Sequence, residues 1–298
     1  MAPTPQPGIF AAALAEHAYM EFDRRDGTSV RELLEALTAV GEPMPATGAI
    51  NVVIGIRPSL WSPVLAEDFA QPVKGPDGFT MPATQHDAWL WLSGADRTAL
   101  FDYTREALAR LEPIADCASE VSGWVYHQNR DLTGFIDGTE NPPRSLAPTV
   151  AAAADGPGAG CSVALVQQWR HDSAAFEALT VAEQELVIGR TKADSIEFDD
   201  EHKPPTSHVA RTVVEEDGKE LKIFRRNTAY GTVREHGTMF VGFCAVQHPL
   251  AEMLRRMAGV GDGVRDALTR YTTPLTGAYY VIPSVEALQP YAPVDDDE

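Results

Sequence analysis

Cysteine and basic residues are both scarce in this sequence of 298 residues. The three cysteines, Cys117, Cys161 and Cys244, form no Cys-x-x-Cys pair, and their odd number argues against a disulfide framework and against a cysteine zinc site. Lysine and arginine number 24 against 43 aspartate and glutamate residues, so the formal net charge is −19. Such a charge repels phosphate backbones and anionic lipids, and we expect neither nucleic acid nor a membrane as a partner.

Long hydrophobic runs are missing too. No apolar stretch approaches the roughly 18 residues that a membrane-spanning helix needs. The N-terminal sequence MAPTPQPGIFAAALAEH lacks a basic start and a twin arginine, so we expect a cytoplasmic protein. Hydrophobic residues make up 44% of the chain and charged residues 22%, which is typical of a globular protein with one large domain or two ordinary ones.

Short apolar or alternating runs predict strands, and amphipathic runs predict helices. The predicted strands are 17–23, 49–56, 87–94, 162–170, 220–227, 238–246 and 278–284, and the predicted helices are 29–40, 97–111 and 249–259. The order strand, short loop, helix occurs at 87–111 and again at 238–259. Two similar α+β halves, each an antiparallel sheet with helices on one face, fit this repeat.

The boundary between the halves is best placed at 146–160, where the sequence is rich in small residues, proline and glycine. This predicts one domain at 1–145 and a second at 146–298. The acidic end of the second, 294–298, is expected to be disordered. One continuous domain with a long loop is the alternative.

Residues 134–143, GFIDGTENPP, contain two carboxylates among too many turn formers for a helix or a strand. Asp137 precedes Gly138, and such a pair makes a tight turn whether or not the carboxylate also has a chemical role. The sequence alone leaves both interpretations open.

His208 follows two prolines and a serine, in a loop that can present its ring. No second histidine lies three or four residues away, and a single protein ligand is too few for structural zinc. One axial histidine is enough for haem iron, because the porphyrin supplies the equatorial ligands. A surface or packed histidine is the alternative.

Arg225 and Asn227 are two residues apart in IFRRNTAYG, so on a strand they share a face. A cation and an amide on one face can bind a small polar ligand together. The alternative is a half-exposed strand with solvated arginines.

Six segments together resemble the dye-decolorising peroxidase family. They are GFIDGTENP, VQQWRHD, GRTKADSIEFDD, PPTSHVARTV, IFRRNTAYG and DALTRYTTPLTGAYYVIPS, which occur in the family's order between residues 134 and 284. The modest length and the lack of a twin arginine are similar to its cytoplasmic B-type branch. The resemblance implies duplicated ferredoxin-like domains, with one haem b per chain bound in the C-terminal half.

The resemblance also implies roles for individual residues. His208 is expected to be the proximal ligand of the haem iron, and Asp266 its carboxylate partner. Asp137, Arg225 and Asn227 are expected to form the distal side, where peroxide binds. The residues implied to bind the cofactor are, in chain order, Gly138, Thr139, Glu140, His208, Arg225 and Asp266.

The implied activity is reduction of hydrogen peroxide and one-electron oxidation of dyes, phenolics or Mn²⁺ through high-valent iron. One alternative is a haem-delivery or iron-release protein. A second alternative is an interaction module that binds no cofactor. Because a carboxylate base works at lower pH than an imidazole, activity is expected to peak at roughly pH 4–5. Homo-oligomers are common in the family, and the C-terminal LQPYAPVDDDE lacks the extension expected of a nanocompartment (encapsulin) cargo.

Overall fold

The structure, a computed structural model, describes residues 3–12, 14–41 and 50–293. Its α-helices are α1 Val30–Ala39, α2 Arg97–Leu111, α3 Ala147–Ala151, α4 Ser173–Glu177, α5 Val181–Ile188, α6 His208–Thr212, α7 His248–Ala258 and α8 Val285–Leu288. Its strands are β1 Glu16–Arg24, β2 Ile50–Ile56, β3 Val73–Lys74, β4 Thr80–Met81, β5 Ala88–Gly94, β6 Ala115–Trp124, β7 Ser162–His171, β8 Glu215–Glu216, β9 Lys219–Glu220, β10 Phe224–Arg225, β11 Thr228–Gly231, β12 His236–Cys244, β13 Thr272–Pro274 and β14 Ala278–Ile282. The acidic end predicted to be disordered, 294–298, lies outside the described residues.

The main sheet is antiparallel and contains two copies of one strand order. Its sequence of neighbours is β10-β12-β11-β6-β1-β5-β2-β14-β7-β13, and β12 also pairs with β7. In the first half, the strand order is β6-β1-β5-β2. Helix α1 connects β1 to β2, and helix α2 connects β5 to β6. In the second half, strands β14-β7-β12-β11 repeat this order, with α7 in the place of α2. Each half is therefore a ferredoxin-like β-α-β-β-α-β unit, and the predicted duplication is present in the topology.

The two units join edge to edge. Strand β6 pairs with β11, and β2 pairs with β14, so the eight strands of the two repeats form a closed ring. Closing the ring leaves no unpaired edge between the repeats. Strands of both halves hydrogen-bond to each other within this one ring. The predicted division into separate domains at 1–145 and 146–298 therefore stays a prediction.

Alternation along the strands separates an inner core from an outer one. In β5, Trp89 and Trp91 point into the ring, whereas Leu90 and Leu92 point outward and pack under the helices. All residues of β5 are buried because both of its faces are covered. The outer core therefore supports the helices, and the inner core is lined by aromatic side chains.

Local capping explains where the helices begin and end. The side chain of Ser29 accepts from the backbone N–H of Glu32, whose carboxylate accepts in return at the start of α1. Asp96 caps α2, because its side chain accepts from the backbone N–H of Ala99. Helix α7 ends at Gly259, whose φ of +75° favours glycine.

Two strand predictions were wrong or incomplete. Of the predicted strand 220–227, only Glu220 at the end of β9 and the two residues of β10 are in strands, and β11 begins after it, at Thr228. Asn227 lies between β10 and β11 and uses its side chain to accept from Val241 N at 3.3 Å. Strand β6 was not predicted at all. Its sequence, ADCASEVSGW, alternates between exposed and partly buried positions but has few large apolar side chains.

None of the described helices combines the length and the apolar character that a bilayer crossing demands. The cytoplasmic location stays a prediction.

Candidate active site

A cavity opens on the outer face of β7 and β12 in the C-terminal repeat. Its empty space, counted with the open mouth, is about 1080 Å³. Apolar side chains form much of its wall, among them Phe240 of β12, Met253 and Met257 of α7, and Leu268. Polar and charged side chains enter it from several other segments, and they include most of the residues singled out from the sequence.

His208 is the first residue of α6, and its orientation is set by a buried carboxylate. Its Nδ1 lies 2.7 Å from Oδ2 of Asp266, which is fully buried. The other oxygen of Asp266 accepts from the backbone N–H of Leu268 at 2.8 Å. Nδ1 therefore donates to the carboxylate and leaves Nε2 as the acceptor of the ring. A histidine held in this way, on the wall of a cavity, has the arrangement of a metal ligand.

Asp137 lies in a tight turn and also lines the cavity. Its backbone N–H donates to the carbonyl of Asn129, and its Oδ1 accepts from the N–H of Gly138 at 2.7 Å. Gly138 has a φ of +77°, which few other residues adopt readily. The turn and the chemical role left open by the sequence are therefore compatible.

Arg225 and Asn227 line the same cavity as Asp137 and His208. A guanidinium nitrogen of Arg225 lies 3.9 Å from Oδ1 of Asp137, which is a charge contact and not a close hydrogen bond. The side-chain oxygen of Asn227 accepts from Val241 N, so its NH₂ group is the donor that remains for a ligand. Asp137, Arg225 and Asn227 also line a second cavity, on which the first one borders.

Asn141 fixes the turn to strand β10, a role that no sequence pattern indicated. Its side-chain nitrogen donates to the carbonyl of Arg225 at 2.9 Å, and its side-chain oxygen accepts from the N–H of Arg225 at 2.8 Å. These two bonds join the segment that contains Asp137 to the residue that bears the cation. Only an asparagine or glutamine side chain can both donate and accept in this way.

The other predicted contact residues occupy different positions. Thr139 and Glu140 line the main cavity, and Glu140 pairs with the buried Arg190, which also binds Glu197 at 2.5 Å. Gly138 lines the second cavity instead. Asp266 lines neither, because it lies behind His208.

A polar network at the cavity wall was missed from the sequence. Oδ2 of Asp131 accepts from the hydroxyl of Thr238 at 2.6 Å, and that hydroxyl lies 3.1 Å from Nε2 of His171. Burial alone would raise the pKa of Asp131, but the charge of His171 and hydrogen bonds from Thr238 and Thr133 hold it below its ordinary value. Burial lowers the pKa of His171, against the attraction of Asp131. These residues are far apart in the sequence, so no local pattern joins them.

Comparison with known sequences identifies the family. The sequence model of the Dyp-type peroxidase C-terminal domain matches residues 128–287, more than half of the chain. This chain belongs to the Dyp-type peroxidase family. A dye-decolorizing peroxidase from Mycolicibacterium paratuberculosis is 38% identical over 221 residues, which cover 72% of this chain. The matched region spans 62% of the length of that relative.

Solved structures of Dyp-type proteins have the same fold over nearly the whole chain. A variant of DypB from Rhodococcus jostii RHA1 in complex with haem has a TM-score of 0.87 and 31% identity, and the match covers 97% of this chain and 99% of that one. The encapsulated DyP-type peroxidase from Mycobacterium smegmatis also has a TM-score of 0.87 and 31% identity, over 99% and 100% of the two chains. The predicted family and the α+β ferredoxin-like class are confirmed.

The residues of the main cavity fit a haem. Within residues 3–12, 14–41 and 50–293, no group of three or more His, Cys, Asp or Glu side chains could hold a metal ion. A single histidine on the cavity wall is enough for haem iron, because the porphyrin supplies the other ligands. The apolar side chains of Phe240, Met253 and Met257 suit the faces of a porphyrin. Haem as the cofactor of the family is thus confirmed by the comparisons and agrees with this donor set. The roles of the individual residues stay predictions.

Proposed function

We propose that this chain is a haem-dependent peroxidase that reduces hydrogen peroxide and oxidises one-electron donors such as dyes and phenolics. The observation that supports it most directly is that a carboxylate-held histidine and an Asp–Arg–Asn set line one cavity. A haem-delivery protein, the alternative, has no need of a proton-transferring carboxylate beside a fixed cation. Such donors would be attracted when cationic, because the net charge of the chain is −19.

His208 and Asp266 would hold the cofactor. The haem, when bound, supplies the redox chemistry of peroxide cleavage. Nε2 of His208 would be the ligand atom, and the hydrogen bond from Nδ1 to Asp266 would give the ring anionic character. Thr139, Glu140 and Arg225 would contact the cofactor from the cavity wall.

Asp137 is the proton-transferring group in this proposal. Its Oδ1 is bonded to the N–H of Gly138, so Oδ2 takes the proton from one peroxide oxygen and returns it to the other, which leaves as water. Arg225 supplies a positive charge where the O–O bond becomes polarised. The NH₂ group of Asn227 donates to the bound peroxide or to a water. These residues also line the second cavity, and in this proposal a small ligand would reach them from that side.

Turnover of peroxide with a dye separates the two candidate functions. The haem-loaded chain should exceed free haemin in rate at equal haem concentration, and Asp137→Ala should lose most of this excess while it retains haem. Asp155→Ala, which removes an exposed turn carboxylate, should behave like the wild type. Rates equal to those of haemin would support haem delivery instead.

We also propose a B-type, homo-oligomeric enzyme. The likeness to DypB supports the branch, and analytical ultracentrifugation would test the oligomeric state. The Mycobacterium smegmatis relative is described as encapsulated. The C-terminal sequence of this chain does not support such a role, because it lacks the expected extension. Its last residues, 294–298, lie outside the described residues, so the prediction stays untested.

A further inference from the structure

The second cavity, which borders the one that fits a haem, has a lining of positive charge. Its empty space, counted with the open mouth, is about 1560 Å³. Three guanidinium groups line it, those of Arg144, Arg225 and Arg226, and Asp137 is the one carboxylate in its wall. The formal charge of this lining is therefore positive, although the whole chain carries −19.

Arg226 is the most enclosed of the three cations. Its guanidinium carbon lies 5.3 Å from the ring centroid of Trp91 and 6.0 Å from that of Phe224. One guanidinium nitrogen donates to the carbonyl of Ile9 at 2.7 Å. An arginine side chain has five N–H groups, and in the described part of the chain this side chain has no further acceptor. The remaining N–H groups are available to a ligand in the cavity.

Arg226 also has no counter-charge among the described residues, whereas Arg225 has Asp137 at 3.9 Å. A buried charge without a partner is unfavourable. Burial lowers the pKa of Arg226, and the charge of Arg144 lowers it further. An anion in the cavity would offset both effects.

His17 adds an unpaired hydrogen-bond donor to the same lining. The residue is 3% exposed, and its Nδ1 accepts from Nε1 of Trp91 at 3.0 Å, so the proton of the neutral ring is on Nε2. Nε2 has no hydrogen-bond partner among the described residues, because the nearby carbonyl of Leu14 is outside hydrogen-bond geometry. Buried N–H groups without a partner are rare, so this one indicates an acceptor that occupies the cavity.

The apolar part of the lining indicates what else the ligand contains. The rings of Phe10 and Phe224 have centroids 5.7 Å apart, and Val125 and Pro142 extend the apolar wall. Such a wall suits a flat hydrocarbon ring and gives nothing to a bare inorganic anion.

The negative charge of the whole chain does not prevent an anion from binding here. Exposed charges are screened beyond about 10 Å at an ionic strength of about 0.1 M. Arg226 and His17 are buried and would contact the ligand directly, so their interactions with it are much less screened.

We propose that the second cavity binds an aromatic monocarboxylate. The carboxylate accepts from the guanidinium of Arg226 and from Nε2–H of His17, and the aromatic ring packs against Phe10 and Phe224. Arg144, which is exposed, adds a positive charge to the lining. The proposal goes beyond the proposed peroxidase function and does not depend on it, because binding requires no peroxide.

The test is isothermal titration calorimetry of the haem-loaded protein with benzoate at neutral pH. Benzamide has nearly the same shape without the charge, and acetate has the charge without the ring. Benzoate should bind, and both comparison ligands should bind about tenfold more weakly or worse. No binding of benzoate at millimolar concentration, or equal affinities for benzoate and benzamide, would overturn the proposal.

Arginine variants test which charges hold the carboxylate. Arg226→Gln should weaken benzoate binding by about tenfold or more, and Arg226→Lys, which keeps the charge, should recover part of the loss. Arg144→Gln should weaken it several-fold. The control is Arg234→Gln, at an exposed arginine in the turn between β11 and β12, which should bind benzoate like the wild type. Wild-type affinity in Arg226→Gln and Arg144→Gln would show that the cavity is not the site, and Arg144→Gln decides alone if Arg226→Gln does not fold.

Cyanide distinguishes the second cavity from the haem iron as the place where the carboxylate binds. Saturating cyanide occupies the iron, so the affinity for benzoate should stay within about twofold of its value without cyanide. The Soret band of each arginine variant should also match that of the wild type, which shows that the haem is retained. Strong competition between cyanide and benzoate would place the carboxylate at the iron and overturn the proposal, with no consequence for the peroxidase function.

Discussion

At the scale of single residues, the site depends on side chains that hold other side chains in place. Asp266 orients His208, and Asn141 joins the turn of Asp137 to the backbone of Arg225. Neither Asp266 nor Asn141 needs to touch peroxide. Both restrict where the reacting groups point, which is a large part of what an enzyme site requires.

Replacement of Asn141 tests this arrangement. Asn141→Ala removes two hydrogen bonds from the backbone of Arg225, so we expect the reaction of the bound haem with peroxide to slow at least several-fold, with haem still bound. The free energy of unfolding should fall by about 1–3 kcal/mol. Stopped-flow absorbance and chemical denaturation measure the two effects.

The control is Asn51→Ala, on β2 and away from the cavity, which should change neither quantity. A wild-type peroxide rate in Asn141→Ala would mean that the two hydrogen bonds do not position Arg225.

The sequence predicted the residues with a local signal and missed those that act through distant partners. Asp137 and Gly138 are adjacent, so their turn was readable. His208 and Asp266 are 58 residues apart, and Asp266 was found only through the family resemblance. Asn141 received no role because its partner, Arg225, is 84 residues away.

At the scale of secondary structure, helix α6, which begins at His208, is short and depends on its neighbour. Helix α6 has five residues, too few for stability on its own. Arg211 of α6 donates two hydrogen bonds to the carbonyl of Arg256 at the end of α7, at 2.8 and 2.9 Å, and pairs with Asp262. This buried guanidinium therefore holds α6, and with it His208, against α7.

Removal of that contact should loosen the cofactor site. We expect Arg211→Ala to weaken haem retention and to lower the free energy of unfolding by about 1–3 kcal/mol, because it removes two hydrogen bonds to the carbonyl of Arg256 and the ion pair with Asp262. Haem transfer to apomyoglobin and thermal unfolding measure these effects. Arg255→Ala is the control: its side chain is half exposed and its pair with Glu252 should contribute less than about 1 kcal/mol. Equal effects of the two variants would contradict the role of Arg211.

Local patterns predicted most of the long elements. Helix α2 has its predicted bounds because Asp96 caps it and its apolar positions recur at helical spacing. The strand–helix repeat occupies equivalent places in the two units. Strand β6 and the break at Arg226–Asn227 were not predictable, since both depend on pairing with strands that lie far away in the sequence.

At the scale of the whole molecule, the buried interior of the ring limits stability in acid. Burial and the nearby Arg226 charge lower the pKa of His17 from 6.5 to about 4. Above pH 6.5 the ring is neutral in both the folded and the unfolded chain. As the pH falls from 6.5 to about 4, the unfolded chain takes up a proton that the folded chain does not, so the folded state loses stability.

The expected loss from His17 is about 3 kcal/mol over this range. His17→Gln keeps an acceptor for Trp91 but cannot titrate, so its unfolding free energy should depend less on pH between 6.5 and 4. Urea denaturation at several pH values measures this, with the exposed His202→Gln as the control. An identical pH dependence in the wild type and His17→Gln would show that His17 does not take part. Activity is expected to peak at roughly pH 4–5, so the enzyme would work where it is less stable.

The central claim is that His208 forms a peroxidase site together with Asp137, Arg225 and Asn227. The most direct test is the absorption spectrum of the haemin-supplemented protein at pH 5, before and after one equivalent of hydrogen peroxide. We expect a Soret band that His208→Ala loses, and a rapid change of that band on addition of peroxide. A Soret band that forms but does not respond to peroxide would contradict the account and would leave haem carriage as the function.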